Sequence, residues 1–446
     1  MNEFDALPPA VANETALPLA GLNESALPLA GLKVLELGQL IAGPFAAKTL
    51  ADFGADVIKI EPPGAGDPLR GWRLLKDGTS VWWQVQARNK RSLALDLKDP
   101  AAQDTVRRLA DESDVLIENF RPGALEGYGL DPLVLMARNP RLIVLRISGY
   151  GQTGPYRDKP GFGVVAEAMG GLRHLTAEPG RTPVRVGVSI GDTLAGLHGV
   201  IGVLTALHER QRSGRGQLID VALYEAVFNC MESLLPEYSA FGAVREPAGS
   251  ALPGIAPSNA YRCRDGYALV AGNGDSIFKR LMNAISRDDL AQDATLATNA
   301  GRVARVAEID AAIGVWTAPQ TVAEVLAALD AAAVPAGRIY TVADIAADPH
   351  YAARGMLDTL TMADGSRLAV PGIVPKLSRT PGRHRRNAPA VGQDNAAVMF
   401  ELAEVAELAE LAEVAARATF AGAAAGDPQQ PGPAQGFADS TLTSGG

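Results

Sequence analysis

One carboxylate in this sequence lies in a setting that suits covalent chemistry. Asp192 follows Gly191 and stands between an alternating β-branched run, residues 184–190, and an apolar run of helical character. The pattern predicts a strand-to-helix junction, where a substrate can approach the backbone closely and meet N–H groups. A carboxylate held there can serve as a covalent nucleophile. Taken alone, the local sequence favours a simpler alternative, an aspartate that caps the helix.

The composition indicates what kind of protein positions this carboxylate. The chain has 446 residues, 47% of them hydrophobic and 5% aromatic, which is typical of an α/β protein with more than one domain. The net charge of −9 argues against nucleic acid as a partner. No apolar stretch of spanning length is evident, so we expect no membrane partner. Cys230 and Cys263, like the histidines, lack metal-ligand spacing, and we expect a cytoplasmic protein without a metal site.

Strand-like and helix-like segments alternate from Leu32 onward, which predicts βαβ units and a mainly parallel sheet. In such sheets ligands bind beyond the carboxyl ends of the strands. The predicted strands cover residues 32–37, 55–61, 92–97, 115–118, 142–147 and 267–271. The predicted helices cover residues 45–53, 101–112, 131–138, 276–285, 303–316, 321–332 and 401–417.

The first predicted strand, helix and strand resemble a dinucleotide-binding βαβ unit. The Gly-x-Gly-x-x-Gly signature of such units is missing, however, because only Gly38 and Gly43 are present. A nicotinamide cofactor is therefore not supported. The predicted fold class is α/β, with a large Rossmann-like domain and a smaller α/β domain. The predicted organisation is a disordered leader with a decapeptide repeat (1–30), the large domain (31–238), a linker (239–257), the small domain (258–345), a segment returning to the large domain (346–398), and a helix followed by a disordered tail (399–446).

A series of short motifs gives the sequence a family resemblance. The motifs are Gly43-Pro44, GADVIKIE at 54–61, GDPLR at 66–70, NKRS at 89–92, LDLK at 95–98, ENFRPG at 118–123, GYGQTGP at 149–155, Gly191-Asp192, PSNAY at 257–261, VPAG at 334–337 and VPG at 370–372. With these motifs in this order, residues 31–398 resemble the class III CoA-transferases. That family includes formyl-CoA transferase, carnitine CoA-transferase and α-methylacyl-CoA racemase.

The resemblance implies that Asp192 is a covalent nucleophile. In similar enzymes this aspartate attacks an acyl-CoA thioester, passes through an anhydride and an aspartyl-CoA thioester, and is released by an acceptor carboxylate. Backbone donors near Gly191 would stabilise the oxyanions. The nucleophile has to stay ionised, so we expect its pKa not to be raised by uncompensated burial. The CoA thioester is a substrate, and the resemblance implies no permanently bound cofactor.

The resemblance also implies binding residues. CoA would lie along the large domain, in a groove lined by Leu40, Ile41, Ala42, Leu95, Lys98, Asn119, Phe120 and Arg121. Lys98 and Arg121 would contact phosphates, with ordinary solvated cations as an equal alternative. Pro62 stands where relatives can carry an arginine.

Three further residues are candidates for substrate contact. Gly272 and Gly274 could close over the site, or they could form a plain turn. Arg185 could bind the far carboxylate of a dicarboxylic acceptor.

One departure from the family bears on the reaction. The racemases use a His-Asp pair where this chain has Phe162 and Gly163, neither of which can move a proton. Glu167 could substitute, although we interpret it as a solvated acid on a helix face. Racemisation is therefore disfavoured, and the resemblance implies an interlocked homodimer that moves CoA from succinyl-CoA, or a similar donor, to a dicarboxylic acid. The alternatives are an acyl-CoA racemase or epimerase of the same family and a non-catalytic acyl-CoA-binding protein.

Overall fold

The computed structural model describes residues 27–424. The described residues divide into two compact units, one that ends at Asp394 and one that begins at Asn395. The predicted disorder of the leader and of the carboxyl-terminal tail concerns residues outside the described part of the chain, except at 27–30. Those four residues form an ordered turn instead, because Leu27 is buried against Gly54 and the Leu29 N–H donates to the Phe53 carbonyl (3.0 Å).

The secondary structure alternates through the first half of the chain. The strands are β1 Lys33–Glu36, β2 Asp56–Glu61, β3 Leu75–Lys76, β4 Thr79–Ser80, β5 Lys90–Ala94, β6 Val115–Glu118, β7 Ile143–Ser148, β8 Leu218–Ala222, β9 Ser258–Cys263, β10 Gly266–Ala271, β11 Ala336–Arg338, β12 Leu357–Thr361 and β13 Arg367–Pro371. The helices are α1 Ala42–Asp52, α2 Val81–Gln86, α3 Pro100–Asp111, α4 Ala124–Gly127, α5 Pro132–Arg138, α6 Gly163–Met169, α7 Leu172–Leu175, α8 Ile190–Ser213, α9 Leu223–Phe228, α10 Leu234–Phe241, α11 Asp275–Ala284, α12 Asp288–Ala291, α13 Asn299–Ala304, α14 Val306–Thr317, α15 Val322–Ala331, α16 Val342–Ala347, α17 Pro349–Ala353 and α18 Asn395–Ala424.

Six strands form one parallel sheet in the order β5-β2-β1-β6-β7-β8. Counted within the sheet, this is the order 3-2-1-4-5-6 of a doubly wound dinucleotide-binding fold. The prediction of a mainly parallel sheet is confirmed. Successive strands are added on one side of β1 up to β5 and on its other side from β6 onward, so the loops leaving β1 and β6 diverge and open a crevice at the carboxyl edge.

Helix α8 lies against this sheet because small residues let it approach closely. A side chain at Gly196 would meet Phe45 at 2.9 Å and the Ala42 carbonyl at 3.0 Å, and one at Gly199 would meet Leu145 at 2.8 Å. The start of α8 is thereby held next to the start of α1. By length and composition α8 also satisfies the requirement for a membrane span, as does the bent pair α14–α15 taken together. Its packing against α1, α9 and β7 is that of a core helix.

A second, antiparallel sheet has the order β11-β10-β9 and carries its own hydrophobic core, which includes Phe278, Leu281 and Ile309. Strands β12 and β13 form a separate hairpin. The segment after that hairpin returns to the parallel sheet, where the Pro389 carbonyl accepts hydrogen bonds from Trp83 Nε1 (3.2 Å) and Arg70 Nη2 (3.0 Å). In the second unit, α18 includes residues 401–417, for which the sequence predicts a helix.

Candidate active site

The loops at the switch between β1 and β6 are tied together by one side chain. Asn119 follows β6, and its Oδ1 accepts a hydrogen bond from the Gln39 N–H (2.7 Å) while its Nδ2 donates to the Gln39 carbonyl (2.9 Å). Leu40 follows with a φ of 63°, a left-handed conformation that is uncommon for leucine. Asn119 therefore fixes the loop that enters α1, at the place where a sheet of this order binds ligands.

Beneath this loop lies a buried network of charges. Lys59 is fully buried and its Nζ donates to Glu36 (2.9 Å) and to the Gly38 carbonyl (2.6 Å), and forms an ion pair with Asp67 (2.8 Å). Burial opposes the charge of Lys59, but Glu36 and Asp67 outweigh it and hold the pKa above its usual range. Asp67 in turn accepts the Leu40 N–H at 3.1 Å. The network holds Leu40 in its strained conformation.

The residues predicted to bind CoA lie on one edge of the sheet. Leu40, Ile41, Ala42 and Asn119 are brought together at the β1–α1 loop. The others follow neighbouring strands at the same edge: Leu95 and Lys98 after β5, and Phe120 and Arg121 after β6. Lys98 and Arg121 are exposed there, as phosphate-binding side chains have to be.

Asp192 belongs to the first turn of α8, and the predicted strand at 184–190 is absent from the structure. The alternating valines predicted a half-buried strand, but Val184 is 56% exposed and Val188 is 58% exposed. The carboxylate lies instead at the amino-terminal end of a 24-residue helix, where unpaired backbone N–H groups and the helix dipole favour negative charge. Gly191 is buried in this same turn.

Gly163 lies directly against the nucleophile candidate. A Cβ built on Gly163 would be only 2.0 Å from Asp192 Oδ2, so no residue with a side chain fits here without moving the carboxylate. The neighbouring Phe162 is 62% exposed. The two positions that carry a proton-transferring pair in the racemases thus hold an exposed ring and a glycine in contact with the carboxylate.

The pKa of Asp192 is raised from its usual 3.8 to about 6. Burial is the main cause, the charge of Glu167 adds to it, and a hydrogen bond from its own backbone N–H and the charge of Arg185 oppose it. The expectation that burial leaves the pKa of the nucleophile unraised was therefore wrong. The carboxylate is still ionised in about nine-tenths of the molecules at pH 7.

Glu167 is the residue that the sequence analysis misjudged. It is 1% exposed rather than solvated, because α6 turns it inward, one helical turn after Gly163 and against Gly191. Its carboxylate forms long ion pairs with Arg173 (3.7 Å) and Arg185 (4.0 Å), and neither carboxylate oxygen has a hydrogen-bond partner among the described residues. No local signal in the sequence marks this burial, because it depends on helix packing and on arginines from other segments.

Of the three residues predicted to contact the substrate, the structure brings one close to Asp192 and, among the residues it describes, shows no contact for the other two. Arg185 lies beside the site, 47% exposed, with Nη2 3.4 Å from Ser189 Oγ. Gly272 packs against Leu281, and Gly274 precedes α11 as its N-cap residue. Within residues 27–424 no hydrogen bond or ion pair joins either glycine to Asp192. In the same part of the chain, no group of three His, Cys, Asp or Glu side chains could hold a metal ion.

Together these elements define an α/β protein with a carboxylate at a helix amino terminus and a crevice at the carboxyl edge of its parallel sheet. A family model described as CoA-transferase family III matches residues 29–395. The chain belongs to this family.

Relatives of known activity cover most of the chain. The succinyl-CoA–D-citramalate CoA-transferase of Chloroflexus aurantiacus is 48% identical over 83% of this chain and 92% of its own length. The β subunit of the succinyl-CoA–L-malate CoA-transferase of the same species is 42% identical over 83% of this chain and 93% of its own length. A crystal structure of a CaiB/BaiF family protein from Brucella suis has a TM-score of 0.75 at 38% identity and covers 84% of this chain and 100% of that one.

Proposed function

We propose that this enzyme transfers CoA from succinyl-CoA to a second short dicarboxylic acid, with Asp192 as covalent nucleophile. The observation that carries the proposal is the position of Asp192 at the amino terminus of α8, which packs on the start of α1 beside the loop fixed by Asn119. The donor is inferred from the relatives, whose names give succinyl-CoA with D-citramalate or L-malate.

The reaction proceeds by four acyl exchanges. An Asp192 oxygen attacks the donor thioester carbonyl, the C–S bond breaks, and CoA leaves as a thiolate from a mixed anhydride. The thiolate attacks the aspartyl carbonyl and expels succinate, which leaves an aspartyl-CoA thioester. The acceptor carboxylate attacks this thioester and releases the thiolate again. The thiolate then attacks the acceptor carbonyl, forms the new acyl-CoA and returns Asp192 as a carboxylate.

Each step passes through an oxyanion, and the first turn of α8 is placed to stabilise it. The Gly191 N–H belongs to the N–H groups that lack intrahelical partners. Leu40, Ile41 and Ala42 would contact the pantetheine end of CoA, and Lys98 and Arg121 its phosphates. This remote binding energy holds the reacting carbonyl at Asp192. Arg185 would bind the far carboxylate of the acceptor, and the loop with Gly272 and Gly274 would close over the site.

Transfer is favoured over racemisation by the contact between Gly163 and Asp192. Exchange of an α-proton needs a second acid–base group on the opposite side of the carbon, and Phe162 and Gly163 offer none. Glu167 packs against Gly191, the neighbour of Asp192 in α8, and its charge acts on Asp192 itself. Incubating a chiral 2-methylacyl-CoA in deuterated water tests this: no deuterium is expected at the α-carbon, and its incorporation would establish racemase activity.

We also propose that the protein is a cytoplasmic homodimer. Exposed apolar side chains lie on one face of α8 (Leu197 42%, Ile201 60%) and also on α10 (Leu235 56%, Phe241 83%). Apolar surface of this extent marks a protein interface. Cys230 and Cys263 are both free thiols, as expected in a reducing compartment. Sedimentation should give twice the mass of one chain.

The proposed activity is tested by mixing the enzyme with succinyl-CoA and a panel of C4–C6 dicarboxylic acids and following new acyl-CoA by chromatography. We expect transfer to at least one acid and none with Asp192→Ala. Asp158→Asn is the matched control, since its side chain is 81% exposed. Transfer at the parental rate by Asp192→Ala that still binds CoA would refute the proposal, as would the absence of transfer to every acid.

A further inference from the structure

The cluster of charges behind Asp192 has buried polar atoms that the mechanism so far leaves unused. Glu167 is 1% exposed, and both of its carboxylate oxygens lack a hydrogen-bond partner among the described residues. Arg173 Nε and Nη2 are buried and equally unpartnered. The distance between Arg173 Nη2 and Glu167 Oε2 is 3.7 Å, which is longer than a charge-assisted hydrogen bond. Such buried groups are normally satisfied in a folded protein, so their position points to a ligand.

The net charge of this cluster depends on the state of Asp192. In the resting enzyme the guanidinium groups of Arg173 and Arg185 are balanced by the carboxylates of Glu167 and Asp192. When Asp192 becomes a CoA thioester its negative charge is lost, and the cluster then carries one unbalanced positive charge. A dicarboxylic acceptor brings one carboxylate that reacts and one that keeps its charge throughout. The remote carboxylate restores the balance only in the thioester state.

Resting on the proposed function, we propose that Arg173 and Arg185 form the subsite for the remote carboxylate of a dicarboxylic acceptor, and that Glu167 keeps this subsite neutral until Asp192 carries CoA. The arginines offer planar donors that suit a carboxylate. In the free enzyme, Asp192 and Glu167 cancel the attraction of the two arginines for an incoming dianion. The acceptor therefore binds tightly only after the donor acid has left.

Binding of succinate, measured by calorimetry with CoA present, tests the proposal without turnover. Asp192→Asn and Asp192→Ala imitate the neutral thioester state, and both should bind succinate about tenfold more tightly than the parent. Glu167→Gln should also tighten binding. Adding Arg173→Met to Asp192→Asn should cost about tenfold or more. Arg181→Met, an exposed arginine nearby, is the matched control and should change nothing.

Butyrate, which has one carboxylate, should show none of these differences. Equal affinity of the parent and both Asp192 variants for succinate would overturn the proposal, and so would an Arg173→Met substitution that leaves the affinity unchanged. A gain in affinity for butyrate as large as that for succinate would also contradict it, as would no measurable binding of succinate to Asp192→Asn. CoA binding by each variant verifies that it is folded. Failure of the proposed function would show separately, as a parent enzyme without transfer activity.

Discussion

Asp192 should destabilise the folded protein at neutral pH, and replacing it by the isosteric asparagine should make the protein more stable. The fold raises the pKa of this carboxyl from 3.8 to about 6 through burial and the nearby charge of Glu167. A shift of about two units corresponds to about 3 kcal/mol of free energy of unfolding. The cost is tolerated because a poorly solvated carboxylate is the more reactive nucleophile.

The direction of the pH dependence follows from the upward shift. A carboxyl with a raised pKa stabilises the folded state at low pH, where it is protonated, and loses that contribution as the pH rises from about 4 through about 6. Asparagine does not titrate. The difference in free energy of unfolding between Asp192→Asn and the parent should therefore be about 3 kcal/mol at pH 7.5 and about 1 kcal/mol at pH 4.5.

Urea denaturation of the two proteins at both pH values measures these differences, and a thermal scan at pH 7.5 should show a rise of about 3 °C in Tm. Asp158→Asn is the control, because its carboxylate is solvated and its replacement should leave the stability unchanged at either pH. An Asp192→Asn protein no more stable than the parent, or a stability gain of the same size at pH 4.5 and 7.5, would refute the reasoning.

Three further outcomes are expected. The rate of CoA transfer should fall about tenfold per pH unit below about 6, as Asp192 is protonated, and an acid limb near pH 4 would contradict the raised pKa. Gly163→Ala should lower kcat about 100-fold by displacing the carboxylate while CoA binding persists, whereas Gly187→Ala, whose Cβ meets nothing within 4 Å, should be active. Arg185→Met should raise the acceptor KM selectively, Arg181→Met should not, and unchanged kinetics for both would dismiss the contact.

The sequence was sufficient to predict the strands and helices that are specified by the pattern of neighbouring residues. The strand and helix pattern predicted the parallel sheet, and the resemblance singled out Asn119 and Leu40, which the structure brings together through Gln39. The alternating valines before Asp192 misled because alternation specifies a strand only where a partner strand exists, and these residues have none. The segment runs over the surface instead, and Asp192 enters the first turn of α8.

The burial of Glu167 could not be read from its neighbours in the sequence. A glutamate on a short helix is solvated by default. It is buried here because α6 packs against α8 and α9, and because arginines 6 and 18 residues further along the chain lie within 4.0 Å of its carboxylate. Such an arrangement depends on tertiary contacts between segments with no periodic signal of their own. It also sets the pKa of the nucleophile, which local sequence reasoning placed too low.

The most direct measurement is the mass of the peptide that contains Asp192 after incubation of the enzyme with succinyl-CoA and no acceptor. The account predicts that this peptide gains CoA in thioester linkage, that hydroxylamine removes it, and that a dicarboxylic acceptor discharges it as acyl-CoA. A peptide of unchanged mass in an enzyme that is transferring CoA, or CoA attached to another residue, would contradict the central role of this carboxylate.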